Sequence, residues 1–528
     1  MRRTSWLLFV VVGLTAGACT NAAEPSTTLV SSTTSQPAEP TSTVAPKTSS
    51  IAEPEGVLWE DFTEQAIGRT LGWSNKVELA DIDGDEDIDI LIADGGDYES
   101  PGPPAVNQVW VNDGNAVFAD HSEEVLGPTG DLARVMKARD LDGDDLIDIF
   151  VGTTYQTQSR LYLGTGGLGF EEATDSKLPL VPLSVGDVEV GDVDSDGDLD
   201  LALADWGEGS PMTNTGGLVQ LWLNDGTGGF SDVTVDQMPA VAVRFSWEIE
   251  FVDADNDWDL DLVVSCKKCS GSFYFVNDGA GVFADASDRI PQFPNNYDFE
   301  VIDLDGDGSQ DLITVNDGDG LREHIFQGDG AGGFVDGTSE LWPEEHNVGW
   351  DDNMIVVLDY DSDRDPDFII GSLGLDDRLM VNDGSGKLSI FPGEAFGGTN
   401  TNGTLGIAVA DLDADGTLDV VHAQGETATD ERVFLGIGVE QDSAPPVIAA
   451  VADVQGTVHA RIHDNKTPVT GHDFQRVFAS GPTGELDLRW YGESLWRAQV
   501  PDSGDYEVCA VDRVGNKACA EAVAVQAG

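Results

Sequence analysis

Seven times the sequence spells Asp-x-Asp-x-Asp-x-x-x-Asp, a spacing that turns carboxylates toward one point inside a tight loop. The copies are Asp81, Asp83, Asp85 and Asp89; Asp140, Asp142, Asp144 and Asp148; Asp192, Asp194, Asp196 and Asp200; and Asp253, Asp255, Asp257 and Asp261. They continue with Asp303, Asp305, Asp307 and Asp311; Asp359, Asp361, Asp363 and Asp367; and Asp411, Asp413, Asp415 and Asp419. Hard oxygens at positions one, three, five and nine, a backbone carbonyl at position seven and water would make the shell that Ca²⁺ takes, whereas Mg²⁺ demands a stricter octahedron. Without a cation, carboxylates this close repel one another. One copy would read as a solvated acidic turn; the recurrence reads as a set of sites. Position six is Gly only at Gly197, Gly308 and Gly416; Glu86, Asp145, Trp258 and Arg364 stand there otherwise. Arg364 puts a cation beside the sixth loop and Pro366 removes a donor, so that loop is expected to hold calcium least well.

The elements that must position these loops are short strands. Copies begin about 50 to 60 residues apart, a period of propeller blades or solenoid units. An alternating run such as Val77-Glu78-Leu79-Ala80 precedes each loop, and an apolar run such as Ile90-Leu91-Ile92-Ala93 follows. A hairpin comes next, as in Leu221-Trp222-Leu223-Asn224-Asp225-Gly226, whose last residues tolerate the positive φ of a tight turn. It returns near Phe118, Phe170, Phe230, Phe283, Phe334 and Leu388, giving four antiparallel strands per repeat. The seventh copy lacks its returning strand, but Trp59-Glu60-Asp61-Phe62-Thr63 aligns with Phe230-Ser231-Asp232-Val233-Thr234. A strand donated from the N-terminal side would close a circular array without a free edge. The expected fold is all-β: a seven-bladed β-propeller over residues 55–440, followed by a small Ig-like β-sandwich over residues 444–528.

The repeat resembles the FG-GAP or VCBS repeats of integrin α-subunit propellers and of many bacterial surface proteins. The resemblance implies that the aspartates at positions one, three, five and nine are calcium ligands. It also implies a role in adhesion or glycan binding and, less often, catalysis. Beyond Pro445-Pro446, Tyr506-Glu507-Val508-Cys509-Ala510-Val511-Asp512 followed by Gly515-Asn516 resembles the last hairpin of bacterial Ig-like domains. Strands are expected near Val458–Ile462, Leu486–Trp490, Trp496–Val500 and Tyr506–Val511.

Composition narrows the partners. Against 26 Lys and Arg stand 97 Asp and Glu, a net charge of −71 over 528 residues. Such a chain repels nucleic acid and anionic lipid and favours cations. Arg2 and Arg3 precede an apolar run from Trp6 to Leu14, too short to span a bilayer. Ala16-Gly17-Ala18-Cys19 then resembles the lipobox of bacterial lipoproteins, with Ala16 where Leu is usual. That implies removal of residues 1–18, lipidation of Cys19 and a membrane partner through the lipid anchor at the cell envelope. Residues 19–54, rich in Ser, Thr, Pro and Ala, read as a disordered tether.

Setting Cys19 aside leaves four cysteines. Cys266-Lys267-Lys268-Cys269 follows a blade strand and reads as a small structural disulfide; a redox pair would need a helix N-terminus, and zinc two further ligands. Cys509 and Cys519 flank a turn symmetrically, so a cross-strand disulfide is expected. On the face opposite the acidic loops, longer connections carry Trp73, Tyr98, Trp206, Trp247, Trp342 and Trp350, which either pack between blades or receive a glycan or protein ligand. His459, His463 and His472 read as surface residues. No nucleophile elbow, HExxH or phosphate loop is present. The expected function is a lipid-anchored, calcium-binding adhesion or ligand-binding module. The alternative is an extracellular carbohydrate-active enzyme such as a polysaccharide lyase.

Overall fold

The computed structural model describes residues 56–70, 72–316, 322–425, 430–464 and 473–527. The leader, Cys19, the tether and His472 lie outside the described residues.

Residues 59–436 form seven four-stranded antiparallel sheets. Sheet 1 runs through Ser74–Ala80, Asp89–Asp94, Gln108–Asn112 and Phe118–Asp120. Sheets 2 to 6 repeat this order, starting at Ala133, Val185, Ile249, Asn296 and Asp352. Second strands are buried along their whole length, as at Ile90, Leu91, Ile92 and Ala93, because a sheet covers each of their faces. That is why they read as continuous apolar runs, whereas the first strands alternate.

Apolar clusters fill the spaces between successive sheets. Leu91, Val109, Met136 and Val151 join sheets 1 and 2; Phe150, Val188, Leu201 and Trp222 join sheets 2 and 3. The series continues until Ile90 and Ile92 of sheet 1 meet Val421 and Val433 of sheet 7. The sheets therefore form a closed ring.

Sheet 7 combines Gly406–Ala410, Asp419–Ala423 and Arg432–Gly436 with Trp59–Asp61. Trp59 pairs with Gly436 and Asp61 with Phe434. The Trp59 ring is wholly buried, stacks on Phe396 at 5.2 Å, and donates from Nε1 to the Leu418 carbonyl at 2.8 Å.

Two further sheets follow the ring. One orders Val447–Val454, Thr457–His463, Leu495–Gln499 and Arg489–Gly492. The other contains Gly484–Asp487, Phe474–Gly481, Gly504–Asp512 and Lys517–Cys519, with Val523–Val525 on Gly504–Asp512. Val458, Ala460, Val477, Trp496, Tyr506 and Val508 form their shared core. The single strand expected near Leu486–Trp490 is two strands on different sheets, because buried Leu488 marks the crossing. His459 is also not a surface residue: it is 6 % exposed and lies 3.1 Å from the Tyr491 hydroxyl through Nδ1.

Removing residues 55–63 should strip sheet 7 of its outer strand, exposing an edge and taking away the buried Trp59 side chain, worth about 1.5–3 kcal/mol by burial alone. Thermal unfolding and light scattering should show a destabilised, aggregating protein. Removal of residues 26–50 should leave both readings unchanged.

Candidate metal centre and central cavity

Each acidic loop is a folded object rather than a floppy turn. Positions four and six take positive φ in loop after loop, as at Gly84 and Glu86, Ser195 and Gly197, or Ser362 and Arg364. The aspartate at position one makes this possible by accepting hydrogen bonds from its own loop. Asp81 takes Gly84 and Asp85 N–H on Oδ1 at 2.8 and 3.1 Å, and Glu86 N–H on Oδ2 at 2.9 Å. Asp140 repeats the pattern. The aspartate at position five accepts the N–H of position seven, as from Asp87 to Asp85 at 3.0 Å.

The aspartate at position nine has a second task. It is at most 1 % exposed in all seven loops. Its Oδ1 accepts an N–H from the last residue of the third strand of its own sheet, Asn112, Gly164, Asn224, Gly328, Asn382 or Gly436, or from Asn277 just beyond that strand in sheet 4, at 2.7–2.9 Å. In five loops Oδ2 accepts the N–H of position two, as from Ile82 to Asp89 at 3.0 Å. In the fourth loop the Tyr274 hydroxyl donates to Asp261 Oδ2 instead, at 2.6 Å. In the sixth, Asp367 Oδ2 is buried and accepts nothing. Burial first, and neighbouring loop charges after it, push Asp89, Asp148, Asp261 and Asp311 up to about 7. Asp200 and Asp419 rise to about 8, and Asp367 to about 9.

The carboxylates converge. Ligand oxygens of Asp81, Asp83 and Asp85, of Asp140, Asp142 and Asp148, and of Asp192, Asp194 and Asp200 lie within 4.8 Å of one another in each group. Position three supplies the sharpest sign of a missing partner: Oδ1 of Asp83, Asp142, Asp255, Asp361 and Asp413 is buried without a hydrogen-bond donor. An unpaired buried carboxylate oxygen is costly, and a hard cation removes that cost. The donor set fits Ca²⁺. Asp259 at position seven, where the sequence suggested only a backbone carbonyl, has a buried donor-free Oδ1 as well.

Asparagines of the Asn-Asp-Gly turns do more than form turns. Asn224 Nδ2 donates to the Leu141 carbonyl of sheet 2 at 2.7 Å and to Leu199 of its own sheet at 2.9 Å. Asn112, Asn277 and Asn382 likewise donate to Leu412, Val193 and Leu304, each at position two of the preceding sheet's acidic loop. Loop and latch therefore share a residue. Gly226, the third turn residue, has φ +73°, and a Cβ there would lie 2.5 Å from Asp198 Oδ2.

The first strands line a central cavity of about 1260 Å³. Charged side chains project into it and tie the sheets together across the ring axis. Lys76 of sheet 1 pairs with Asp187 of sheet 3 at 2.6 Å and with Glu248, just before sheet 4. Lys137 pairs with Glu189 at 2.5 Å and Arg139 with Glu78 at 2.6 Å. Burial opposes the charge on Lys76, but the two carboxylates outweigh it and raise the ammonium above its ordinary value. Burial first, then repulsion from neighbouring carboxylates, Glu189 and Glu300 on Glu250 and Asp298 and Glu189 on Glu300, push both well up.

Aromatic side chains lie against one end of the ring axis. Trp206, Phe245, Trp247 and Tyr297 are wholly buried around Arg134, whose guanidinium lies 5.4 Å from the Tyr98 and Trp247 rings. Arg134 Nη1 donates to Asn75 Oδ1 at 2.5 Å. A disulfide joins Cys266 to Cys269, and Lys267 between them lies 4.5 Å from the Tyr297 ring. A second disulfide joins Cys509 and Cys519, which face each other across paired strands. Trp342 is also buried, packed on Phe368. Of the aromatic residues weighed for ligand contact, Trp73, Tyr98 and Trp350 retain partial exposure. At the other end, Phe474, Trp490, Glu493 and Arg513 of the C-terminal region line the cavity.

A model of the FG-GAP-like repeat matches residues 81–151, 140–203 and 359–422. The chain carries FG-GAP-like repeats. All three matches begin at a position-one aspartate, so the family pattern is keyed to the loop geometry described above. No curated protein matches the chain. Among solved structures, a lectin of Agrocybe aegerita, described as recognising non-reducing terminal N-acetylglucosamine, is similar at 20% identity, covering 70% of this chain and 89% of its own, with a TM-score of 0.41. The V. cholerae biofilm matrix protein Bap1 is similar at 14% identity, covering 89% and 76%, with a TM-score of 0.34. A Lactobacillus plantarum protein is similar at 14% identity, covering 61% and 85%, with a TM-score of 0.39.

The FG-GAP-like latch is testable. Asn224→Ala leaves the carbonyls of buried Leu141 and partly buried Leu199 without their amide donor and should cost about 1–3 kcal/mol. A urea unfolding curve should show the loss, while Thr227→Ala in the same exposed turn should shift it by less than about 0.5 kcal/mol.

Proposed function

We propose that the ring is a seven-bladed, calcium-stabilised β-propeller carrying an Ig-like β-sandwich, and that it serves as an adhesion or ligand-binding module at the cell surface. The observation that carries the calcium reading is the recurrence of buried, donor-free carboxylate oxygens at position three of five loops. Calcium bound there would neutralise the converging carboxylates and fix the loops that latch one sheet to the next. The ligand, a glycan or a protein surface, would meet the face opposite the acidic loops, where the connections between sheets are longest and Trp73, Tyr98 and Trp350 remain partly exposed. Lys76, Lys137 and Arg139 are committed to ion pairs, which argues for binding over acid–base catalysis in the cavity.

Calcium removal tests the core of this reading. At free calcium about tenfold above Kd, each site contributes roughly 1.4 kcal/mol. EDTA should lower the melting temperature sharply, and Ca²⁺ should restore it better than Mg²⁺. A glycan array probed with and without EDTA should show calcium-dependent binding. An unchanged melt, with metal-free protein verified by elemental analysis, would overturn the calcium assignment.

Anchoring rests on Cys19 and its small neighbours. Acyl chains contribute about 0.8 kcal/mol per buried CH₂, and stable attachment takes two signals. Wild type should need detergent for release from membranes, with high salt ineffective, whereas Cys19→Ser should appear in the soluble fraction with an unaltered melting curve.

A further inference from the structure

The C-terminal domain touches the acidic loops directly, and it does so with arginines. Arg461 Nη2 donates to Asp253 Oδ2 at 2.7 Å and Arg461 Nη1 to Asn256 Oδ1 at 2.8 Å; both acceptors lie in the fourth loop. Arg497 forms an ion pair with Asp192, position one of the third loop. Asp192 and Asp253 are 3 % and 1 % exposed, and of the two arginines Arg461 is buried and Arg497 partly so. Two bonds of Tyr491 fix the register: its carbonyl accepts Asp192 N–H at 2.8 Å, and its hydroxyl donates to the Trp258 carbonyl at 3.1 Å. Trp258 occupies position six of the fourth loop, where three other loops have Gly, and its ring meets His459 edge-on at 5.7 Å. The fourth loop has thus traded a turn residue for an interface residue. Asp192 and Asp253 still accept N–H groups of their own loops, from Gly197 on Asp192 Oδ2 at 2.8 Å and from Asp257 on Asp253 Oδ1 at 3.1 Å, so each arginine adds a positive charge to the loop bonding that Asp81, Asp140, Asp303 and Asp411 also show.

We propose that Arg461 and Arg497 take the place of calcium at the fourth and third loops, so that calcium binding at these two loops and docking of the C-terminal domain compete. The proposal rests on the calcium reading given above. A divalent ion entering either loop would lie close to a guanidinium in a poorly solvated site, where like charges repel strongly. Reciprocity follows: whatever factor the docked domain takes from calcium affinity, calcium takes from docking. Apolar contact holds the domain in place without metal, since Tyr491 and Leu495 join Phe251, Leu260 and Leu262 of the ring in one core. Both loops keep ligand atoms beside the arginine, Asp192 Oδ1 in the third and Asp255 and Asp259 Oδ1 in the fourth, each buried and donor-free, so calcium can still contest both.

Calcium titration of the full chain by calorimetry, followed in parallel by hydrogen exchange, tests the competition. Wild type should show four tight sites, a sixth-loop site weakened by Arg364, and two further sites at least about tenfold weaker than the tight ones. Arg461→Gln with Arg497→Gln should move the weak pair into the tight class. As the last two equivalents bind wild type, amide protection over Thr457–His463 and Arg489–Gln499 should fall. Seven equivalent tight sites in wild type, or protection that holds or rises through saturation, would overturn the competition and leave the calcium reading standing. The wild-type exchange decides the matter even if the double variant fails to fold. Absence of calcium binding at all seven loops would overturn both.

Discussion

A single buried carboxylate, repeated around the ring, is the constraint on which this architecture turns. The aspartate at position nine opens the second strand, fastens the third strand through Oδ1 and, in five loops, clasps the front of its own loop through Oδ2. Removing such a group from water is expensive, and two N–H bonds offset only part of that cost. Around it, loop backbones direct N–H groups inward and carboxylates gather where a cation would sit, and in the third and fourth loops an arginine from the neighbouring domain meets the aspartate at position one. The sixth loop shows the constraint least relieved, for Asp367 Oδ2 has no donor and its carboxyl is pushed up furthest.

The ring axis repeats the problem on a larger scale. Seven first strands that alternate in and out must send one set of side chains toward the axis; sheets 1 to 5 place charged side chains such as Lys76, Lys137, Glu189, Glu250 and Glu300 there, whereas sheets 6 and 7 line the cavity with Met354, Val356, Ala408 and Ala410. Cross-axis pairs such as Lys76 with Asp187 and Glu248 join sheets that share no hydrogen-bonded edge. Trp206, Trp247 and Tyr297 are spent around Arg134 and are not a platform for sugars.

The repeat, its loops and the alternating strands were readable because each is a local pattern, complete within about a dozen residues. What escaped was long-range. Asn224 reads as a turn residue, yet its amide meets Leu141, 83 residues away. The polar positions of Lys76, Glu189 and Glu250 look like the solvent side of an amphipathic strand, and nothing local says that they face one another across an axis. Trp258 and His459 looked respectively like a poor loop residue and a surface histidine; only the docked interface explains both. The two strands around Leu488 merged into one because a crossing between sheets leaves no break in the apolar pattern.

The closing strand carries a mechanical consequence. Trp59 lies opposite Gly436, so the chain enters this strand at the same end at which the partner strand Arg432–Gly436 leaves it. Force pulling the residues before Trp59 away from those after Gly436 would load the pair in unzipping geometry. The hydrogen bonds would then bear it one at a time instead of together. With a strand of three residues, resistance falls to what lies at the mouth of the zipper. There Leu58 comes first, its carbonyl accepting Ile437 and Gly438 N–H at 2.8 and 3.0 Å, and the Trp59 ring next, wedged against Phe396 and tied to the Leu418 carbonyl, so under tension two neighbouring residues set the force at which the ring opens.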